Sequence, residues 1–430
     1  MNMESKKNWI IVGVGGYNMA VMSTKPVRGT RDILPEEMAV RDALQEKILK
    51  IYGSHGFSRI ETPAMENLEL LLGSDAGENL KMLFSILKRG EKLNTSNESS
   101  VTDLCDMGLR YDLTLPLSRF YADNSSTLDM PFKAIQIDNV FRAERPQKGR
   151  FRSFKQCDID IIGDPTVAAE MELISTTAKA LCAIGFQDFV IKINNRQLLT
   201  SYIEKSGFKS EDIGSICISL DKADKIGVDG VKAELVKKGY EESMVNTFVD
   251  GVSSITLDTI GNFIDESKVI EDLQKVIKVI TELSKGMYKI QFDFTLIRGM
   301  GYYTGQVFEV SYGKYGYSIA GGGRYDNMIG KFTKQSVPAV GFSIGFERIV
   351  GILLEESKGQ ENKSTSIVLF YSEDEDFTKV SKKREELIES GYKVNLVVQK
   401  KKFGKQIKVY EDKGYLGFMV FGRDEEIRLF

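Results

Sequence analysis

Residues 141–160 read Phe-Arg-Ala-Glu-Arg-Pro-Gln-Lys-Gly-Arg-Phe-Arg-Ser-Phe-Lys-Gln-Cys-Asp-Ile-Asp. Lys148 and Gly149 supply a turn, so the stretch predicts a hairpin. After the turn, polar or aromatic side chains recur at every second position, with Cys157 and Ile159 between them. Such a period is typical of a strand with one polar and one apolar face, and the polar face is predicted to line a site. The residues on that face are Arg152, Phe154, Gln156, Asp158 and Asp160.

The arginines of this hairpin suit phosphate groups. Arg142, Arg145, Arg150 and Arg152 each carry a planar guanidinium that can donate two parallel hydrogen bonds to phosphate oxygens. Glu144 can accept a hydrogen bond from an exocyclic amine. These groups together predict a site that holds ATP beside a second polar ligand. For the segment taken alone, a solvent-exposed hairpin whose charges only keep the chain soluble is the alternative.

Three later segments complete a recognisable pattern. They are residues 296–309, Leu-Ile-Arg-Gly-Met-Gly-Tyr-Tyr-Thr-Gly-Gln-Val-Phe-Glu; residues 320–326, Ala-Gly-Gly-Gly-Arg-Tyr-Asp; and residues 341–348, Gly-Phe-Ser-Ile-Gly-Phe-Glu-Arg. The hairpin resembles motif 2 of class II aminoacyl-tRNA synthetases, in the version typical of histidyl-tRNA synthetases. The next two segments resemble that family's histidine-specific signatures, and the last resembles motif 3. The resemblance covers about residues 25–425, with the motifs in the family's order.

The resemblance implies an α+β catalytic domain of the class II synthetase fold, with an antiparallel sheet of six or seven strands flanked by helices. We expect this domain at residues 23–354, with a helical insertion at about residues 205–285 that approaches the tRNA acceptor stem in the resembled family. Residues 355–366 are predicted to be a polar linker. Residues 1–22 are predicted to be an extension outside the fold, with Met22 as the physiological start.

Residues 367–430 alternate predicted strands and helices, which indicates a small parallel α/β unit. The unit resembles the anticodon-binding domain of several class II synthetases, and it ends at Phe430, shorter than the family pattern. A cluster of lysines in it is a candidate for phosphate contacts, with a solvated helix face as the alternative. These lysines are Lys400, Lys401, Lys402, Lys405 and Lys408.

The pattern near the N-terminus predicts a helix followed by a strand. Apolar residues at near-helical spacing run from Pro35 to Tyr52, and Gly53 and Gly56 end the helix. Residues 57–63 form a predicted strand stopped by proline. This helix and strand resemble motif 1, which forms the dimer interface in class II synthetases. The resemblance therefore implies a homodimer.

Two further segments have clear local signals. Asp164 and Pro165 predict the start of a helix that ends at Gly185, and residues 189–193 predict a strand. By contrast, residues 89–106 are rich in turn formers and predict a mobile loop.

Residues 109–116 predict a strand that leads into a helix. Asp112 and Thr114, two positions apart, are expected to share one face of that strand. A carboxylate and a hydroxyl so placed can accept hydrogen bonds from an ammonium group. This pair is therefore a candidate for binding an amino group.

The composition excludes several classes of protein. Net charge is only −3 over 430 residues, so any contact with RNA must come from local patches. Residues 9–16 are apolar but too few to span a membrane. The four cysteines are widely spaced, and His55 is the single histidine. We therefore expect reduced thiols in a cytoplasmic protein, with no structural zinc and no bound protein metal.

By resemblance, the arginines act on ATP and on the attacking carboxylate. Arg142 is expected to hold the α-phosphate together with the substrate carboxylate, and Arg298 to take the place of a catalytic metal ion in related synthetases. Arg150 and Arg348 are expected to reach the outer phosphates or the adenine. Glu144 is expected to bind the adenine amine, and Phe154 to stack on the ring. ATP would arrive with Mg²⁺, and no side-chain base is required because a free carboxylate is already a nucleophile.

Histidine selection requires binding an imidazole that has one donor and one acceptor in its neutral form. By resemblance, Asp160 accepts from one ring nitrogen and Tyr303 serves the other, with Tyr302 and Tyr325 nearby. The α-amino group would be held by Asp112, Thr114 and Gln156, and the carboxylate by Arg142 and Arg298. Gly301 departs from the family pattern, which often has aspartate there. The tyrosine pair taken alone could be a packing feature.

The resemblance thus implies a histidine-tRNA ligase that activates L-histidine with ATP and transfers it to the 3′ end of its tRNA. The rival interpretation is the histidine-sensing regulatory subunit of ATP phosphoribosyltransferase, which shares the catalytic fold without charging tRNA. Such proteins usually lack the C-terminal α/β unit and lose motif arginines. Retention of Arg142, Arg150, Arg298 and Arg348 favours the synthetase.

Overall fold

The structure is a computed structural model that describes residues 23–73, 81–93, 100–145, 150–297, 302–313, 317–357 and 365–430. The chain divides between Leu354 and Glu355 into two compact units. Each unit has its own sheet and its own hydrophobic core. None of the helices in these ranges is both long and apolar enough to cross a bilayer.

The helices of the described ranges are α1 Pro35–Ser54, α2 Leu68–Leu72, α3 Val101–Leu104, α4 Thr114–Asn124, α5 Ala168–Ile184, α6 Arg196–Lys205, α7 Ile213–Leu220, α8 Ala223–Lys237, α9 Glu242–Ser254, α10 Ser267–Ser284, α11 Asn327–Thr333, α12 Phe346–Glu356, α13 Phe377–Glu389 and α14 Phe403–Glu411. The strands are β1 Ser58–Arg59, β2 Met65–Asn67, β3 Phe84–Leu87, β4 Cys105–Leu109, β5 Phe132–Phe141, β6 Ser153–Ile162, β7 Val190–Asn195, β8 Lys289–Phe292, β9 Gln306–Tyr312, β10 Tyr317–Arg324, β11 Ala339–Ile344, β12 Ser366–Tyr371, β13 Lys393–Val398, β14 Gly417–Val420 and β15 Arg428–Leu429.

The main sheet of the first unit has eight strands in the order β1-β5-β6-β11-β10-β9-β7-β8. Its six central strands are antiparallel to their neighbours, and the edge strands β1 and β8 pair in parallel. The predicted α+β class and the antiparallel sheet are confirmed. The sheet has eight strands, more than the six or seven predicted. The strand predicted at residues 57–63 is present as β1, but only Ser58 and Arg59 pair with β5.

The hairpin predicted around residues 141–160 is formed by β5 and β6, the second and third strands of this sheet. Strands β5 and β6 pair along their full ten residues, from Phe132 opposite Ile162 to Phe141 opposite Ser153. Along β6 the apolar set, Cys157, Ile159 and Ile161, is buried against the main core. The alternate set faces the other side of the sheet, as the period-two pattern predicts. The turn residues Lys148 and Gly149 lie outside the described residues.

The main core lies on the helical side of the sheet. Helix α1 contributes Leu44, Ile48 and Tyr52, and α5 packs beside it with Leu173 and Leu181. The predicted helix at residues 35–52 is confirmed, although it runs on to Ser54. Residues 205–285 are helical as predicted, and α7 to α10 bury apolar residues in the same core.

Helix α5 begins later than its sequence predicts. Its first residue is Ala168, whereas Asp164 and Pro165 precede the helix. The Asp164 Oδ1 atom accepts hydrogen bonds from the Thr166 N–H at 2.8 Å and the Thr166 hydroxyl at 2.7 Å. The aspartate thus closes a local turn, which is the other common role of this residue type. Gly185 ends the helix in a left-handed conformation, with φ of 115°, as predicted.

Two other predictions are wrong in detail. The composition of residues 89–106 predicts a loop, but Ser100 caps α3 and residues 105–109 form β4, the central strand of a small three-stranded sheet. Residues 94–99 lie outside the described residues. The strand predicted from residue 109 ends there, and α4 begins at Thr114. Asp112 and Thr114 therefore do not share a strand face.

The second unit is the predicted α/β fold. Strands β12, β13 and β14 are parallel, and helices α13 and α14 alternate with them along the chain. An added strand, β15, pairs antiparallel with β14 at the sheet edge. The two faces of β12 enter separate apolar clusters, since Ile367 and Leu369 lie in one and Val368 and Phe370 in the other. Both faces are buried, as expected for a parallel sheet covered by helices.

Candidate active site

A cavity of about 430 Å³ opens on the side of the main sheet opposite the core helices. It collects all the described residues that the family resemblance assigns to ATP or histidine. These are Asp112, Thr114, Arg142, Glu144, Arg150, Phe154, Gln156, Asp160, Tyr302, Tyr303, Tyr325 and Arg348. Arg298, expected to be catalytic, and Gly301 lie outside the described residues.

The floor of the cavity consists of glycines on β10 and β11. A Cβ atom at Gly341 would lie 2.0 Å from Asp160 Oδ1, and one at Gly322 would lie 2.0 Å from the Gly341 carbonyl oxygen. At Gly323 it would lie 2.8 Å from the Tyr303 ring. These positions need glycine because backbone and polar side chains approach so closely there. The absence of side chains leaves room for a ligand against the sheet.

Asp160 and Tyr325 form a buried pair at the deep end. The Tyr325 hydroxyl donates to Asp160 Oδ1 at 2.7 Å, and the two residues are 3% and 1% exposed. Burial raises the pKa of the Asp160 carboxyl well above its usual range, and Asp158 adds to the rise. Burial likewise raises the pKa of Tyr325. The raised pKa of Tyr325 keeps its hydroxyl protonated as the donor of this bond, while the raised pKa of Asp160 shows that burial without a cation disfavours the ionised carboxylate.

Two more tyrosines bound this end of the cavity. The Tyr302 and Tyr303 rings lie 4.8 Å apart between centroids, and Tyr302 also meets Tyr325 edge-on at 6.2 Å. Burial raises the pKa of Tyr302 well above its usual range. The pair packs in part with the smaller apolar cluster of this unit, so it has a packing role as well as a place in the cavity wall.

Asp112 lies in the loop just before α4. Its Oδ1 atom accepts a hydrogen bond from the Leu115 N–H at 3.2 Å, at the first turn of the helix. Burial raises the pKa of Asp112 to about 6, while the Leu115 N–H and the charge of Arg142 oppose the rise. Thr114 is the first residue of α4. The helix start, not a shared strand face, brings this carboxylate and hydroxyl into the cavity.

Asp158 is a cavity residue to which the sequence patterns assign no role. It is 4% exposed and lies between Gln136 on β5 and Ser343 on β11. Burial raises its pKa to about 7; hydrogen bonds from Ser343 and Gln156 oppose the rise and the Asp112 charge adds to it. The period-two pattern places Asp158 on the correct face, and that is the only signal in the sequence that points to it.

Among the hairpin arginines, Arg142 and Arg150 line the cavity, whereas Arg145 and Arg152 do not. The Arg142 Nε donates to the Tyr111 carbonyl oxygen at 3.0 Å, and its guanidinium lies 5.1 Å from the Phe154 ring centroid. Arg152 instead donates to the backbone carbonyls of Glu144 and Arg28. The donors of Arg152, a candidate for phosphate contacts, thus bind the backbone outside the cavity lining.

The other rim of the cavity is the start of α12. Arg348 Nη1 donates to the Ser318 carbonyl oxygen. Next to it, Glu347 accepts two hydrogen bonds from Arg41 at 2.7 Å and one from the Lys155 N–H at 3.1 Å. Burial opposes the ionisation of Glu347, but these bonds hold its pKa below the ordinary value. Arg41 on α1 and Lys155 on β6 thus both bind α12, the helix that carries Arg348.

No three His, Cys, Asp or Glu side chains form a metal-binding group within the described ranges. The donors that face the cavity rim are guanidinium groups, which fit the phosphates of a nucleotide.

The fold and the cavity together define a class II aminoacyl-tRNA synthetase catalytic domain. Its features here are an antiparallel sheet flanked by helices, a floor of glycines, and arginines on the hairpin and on α12. A family model described as histidyl-tRNA synthetase matches residues 29–349, about three quarters of the chain. The chain belongs to the histidyl-tRNA synthetase family.

Individual relatives agree with this assignment. The histidine-tRNA ligase of Leifsonia xyli subsp. xyli is 43% identical over 80% of this chain and 83% of its own length. The crystal structure of histidyl-tRNA synthetase from Nostoc sp. PCC 7120 superposes with a TM-score of 0.76 at 27% identity, covering 94% and 93% of the two chains. An ATP phosphoribosyltransferase regulatory subunit/histidyl-tRNA synthetase from Bacillus halodurans C shares the fold, with a TM-score of 0.74 at 21% identity over 93% and 98% of the chains.

Proposed function

We propose that this protein is a histidine-tRNA ligase that activates L-histidine with ATP to histidyl-adenylate and pyrophosphate, and then transfers histidine to the 3′ end of its tRNA. The observation that carries the proposal is one cavity that holds two kinds of group. Arginines and Phe154 line it toward the hairpin, and the buried Asp160–Tyr325 pair lies at its deep end.

The first step requires the histidine carboxylate to attack the α-phosphorus of ATP. The two anions repel, so a cation must touch both. Arg142 is suited to this, because its Nε bond to the Tyr111 carbonyl and its stacking on Phe154 fix the guanidinium plane. Arg298 would supply the second guanidinium. Glu144 and Phe154 would hold the adenine, and Arg150 and Arg348 the outer phosphates or the adenine.

Histidine would lie along the polar face of β6. Asp160, oriented by the Tyr325 hydroxyl, accepts from one imidazole nitrogen, and Tyr303 serves the other. Asp112, Thr114 and Gln156 bind the α-amino group. A buried polar pocket of this kind rejects apolar analogues by about 10⁴-fold or more, because its own polar groups are then left unpaired.

We propose a homodimer through α1 and β1, a cytoplasmic location, and binding of the tRNA anticodon by residues 367–430. The residue range 23–354 would be the catalytic domain, with residues 1–22 outside it. A regulatory subunit that binds histidine without catalysis is the second candidate. It is less supported, because likeness to the Bacillus halodurans protein extends only to the fold.

Histidine-dependent exchange of pyrophosphate into ATP, with histidinol as competitor, tests the first step, and charging of tRNA tests the second. We expect both activities. Exchange without charging would place a defect in the tRNA-binding residues, and histidine binding without exchange would identify the regulatory subunit instead.

A further inference from the structure

Two buried oxygens in the cavity accept no hydrogen bond of normal geometry from the described residues, although the Ser343 side chain acts on the Asp158 carboxyl from β11. They are Gln156 Oε1 and Asp158 Oδ1. The other ends of these side chains are joined, because Gln156 Nε2 donates to Asp158 Oδ2 at 3.0 Å. Buried acceptors left unpaired are unfavourable, so the pair is arranged for a donor that the protein itself does not supply.

We propose that Asp158 is a further specificity-determining residue: it fixes the Gln156 amide so that Oε1 faces the ligand, and its own free oxygen completes the receptor for the α-ammonium group of histidine. This inference rests on the proposed function. It adds to the amino-group site a carboxylate that the resemblance does not assign.

The amide orientation follows from hydrogen-bond chemistry. A carboxylate only accepts hydrogen bonds, so the Gln156 NH₂ must face Asp158 and the amide oxygen must face away from it. An uncharged residue at position 158 would let the amide turn over and present its NH₂ to the ligand. An ammonium group has three donors and no acceptor, so it needs the amide oxygen and not the NH₂.

The charges around the pair favour a cationic ligand. Asp112, Asp158 and Asp160 are all buried in the same cavity wall. The charge of Asp112 raises the pKa of Asp158, and the charges of both raise the pKa of Asp160. Arg142 is the cation that acts on Asp112 and Asp158. Among the described residues, three buried carboxyl groups thus face a single guanidinium that lowers the pKa values of two of them, and an α-ammonium group would add positive charge beside them.

The position of Asp158 along β6 places it beside the amino group of the ligand and not beside the imidazole ring. Asp158 and Asp160 are two residues apart on one strand face, a separation of about 7 Å. This distance is comparable with the length of a histidine molecule from its amino group to its ring. Tyr325 holds Asp160 at the deep end of the cavity, where the imidazole would bind. Asp158 would then lie beside the α-amino group of the bound histidine.

Two histidine analogues separate these roles. Histidinol keeps the ammonium group and lacks the carboxylate, whereas 3-(imidazol-4-yl)propionate keeps the carboxylate and lacks the ammonium group. Binding of each would be measured by calorimetry on the full chain, as wild type and as Asp158→Asn. The matched control is Asp129→Asn, which removes the same charge from an exposed position.

We expect Asp158→Asn to weaken histidinol binding by about 30-fold, the range for a charge-assisted hydrogen bond, and to change binding of the propionate by less than about 3-fold. The KM for histidine in pyrophosphate exchange should rise in step with the weaker histidinol binding, while the KM for ATP stays near that of wild type. Equal weakening for both analogues, or none for either, would overturn the proposal.

If the Asp158→Asn protein does not fold, a second variant can be measured in its place. Asp158→Ser is smaller and uncharged, and the same split between the two analogues is expected. Wild type that shows no histidine-dependent exchange would refute the proposed function. Wild type that exchanges, combined with an Asp158 variant that binds histidinol normally, would refute only this inference.

Discussion

At the scale of single residues, the cavity holds carboxyl groups whose burial is unfavourable when no cation is bound. The pKa values of Asp112 and Asp158 rise to about 6 and about 7 from an ordinary value of 3.8. Each neighbours the other, and Asp160 and Arg142 complete the charged group around them. A preformed receptor of this kind binds its ligand readily but lowers the stability of the ligand-free protein.

These pKa values predict how stability depends on pH. Between about pH 4 and pH 7 the folded protein holds protons on Asp158 and Asp112 that the unfolded chain releases. The free energy of unfolding contributed by these groups is therefore greatest at low pH and is lost as pH rises through the folded pKa values. Replacing Asp158 by asparagine removes the buried charge, so Asp158→Asn should stabilise the ligand-free protein at pH 8 by about 1–3 kcal/mol.

Denaturant titrations followed by circular dichroism at pH 5 and pH 8 would check this. At pH 5 the folded protein keeps the proton on Asp158 while the unfolded chain has begun to release it, so the variant should stabilise the protein by less than at pH 8, the difference being about 1 kcal/mol or more. Asp129→Asn should be neutral at both values. A stabilisation of the same size at pH 5 and pH 8 would contradict the assigned titration.

At the scale of elements, the site depends on how α1, β6 and α12 are held together. Arg41 on α1 reaches Glu347 on α12, and Glu347 also accepts the N–H of Lys155 on β6. The side chains of Arg41 and Glu347 are 7% and 13% exposed. Removing one partner of an ion pair so little exposed destabilises a protein far more than breaking a surface pair does.

Glu347→Gln should therefore lower the free energy of unfolding at neutral pH by about 2–4 kcal/mol, because the buried Arg41 keeps only its longer 3.4 Å contact with the Glu37 carboxylate. The variant should also raise the KM for ATP, since Arg348 is its neighbour on the helix. Urea denaturation and pyrophosphate exchange are the measurements. Glu355→Gln, an exposed change near the end of the same helix, is the control, and equal destabilisation in both variants would exclude a role for the network.

At the scale of the whole molecule, the two compact units have different proposed roles. The cavity lies in the first unit, and the lysines at 400, 401, 402, 405 and 408 are exposed on the second. None of the five makes an ion pair with another residue that the structure describes. Exposed lysines of this kind are free to meet phosphates, although a solvated surface would look the same.

Replacing Lys400, Lys401 and Lys405 by serine distinguishes these explanations. If they bind tRNA, the KM for tRNA in charging should rise by about 5–20-fold, and the salt dependence of tRNA affinity should become less steep with each lysine that no longer neutralises a phosphate. Histidine-dependent exchange should stay unchanged. Serine at Lys379, Lys382 and Lys393 removes the same charge elsewhere on the unit, and an equal effect there would indicate only general electrostatic attraction.

The sequence by itself determined which segments of the chain form the hairpin and the site. Period two placed the polar side chains of β6 on one face, and the glycines and arginines of the later motifs marked the sheet floor and the rim. These signals are local, because they depend on backbone conformation and on spacing along one segment. Together with the family resemblance, they were sufficient to predict the α+β class, the hairpin and the residues assigned to ATP and histidine that line the cavity.

Only the tertiary structure decided how those residues share their partners. Arg152 donates to backbone carbonyls, and the start of α4 carries Asp112 into the cavity. Asp158 becomes a buried carboxyl with a free oxygen only because β5 and β11 flank it and Gln156 bonds its other oxygen. Burial and competition for hydrogen bonds depend on neighbours distant in sequence, and no pattern along the chain specifies them.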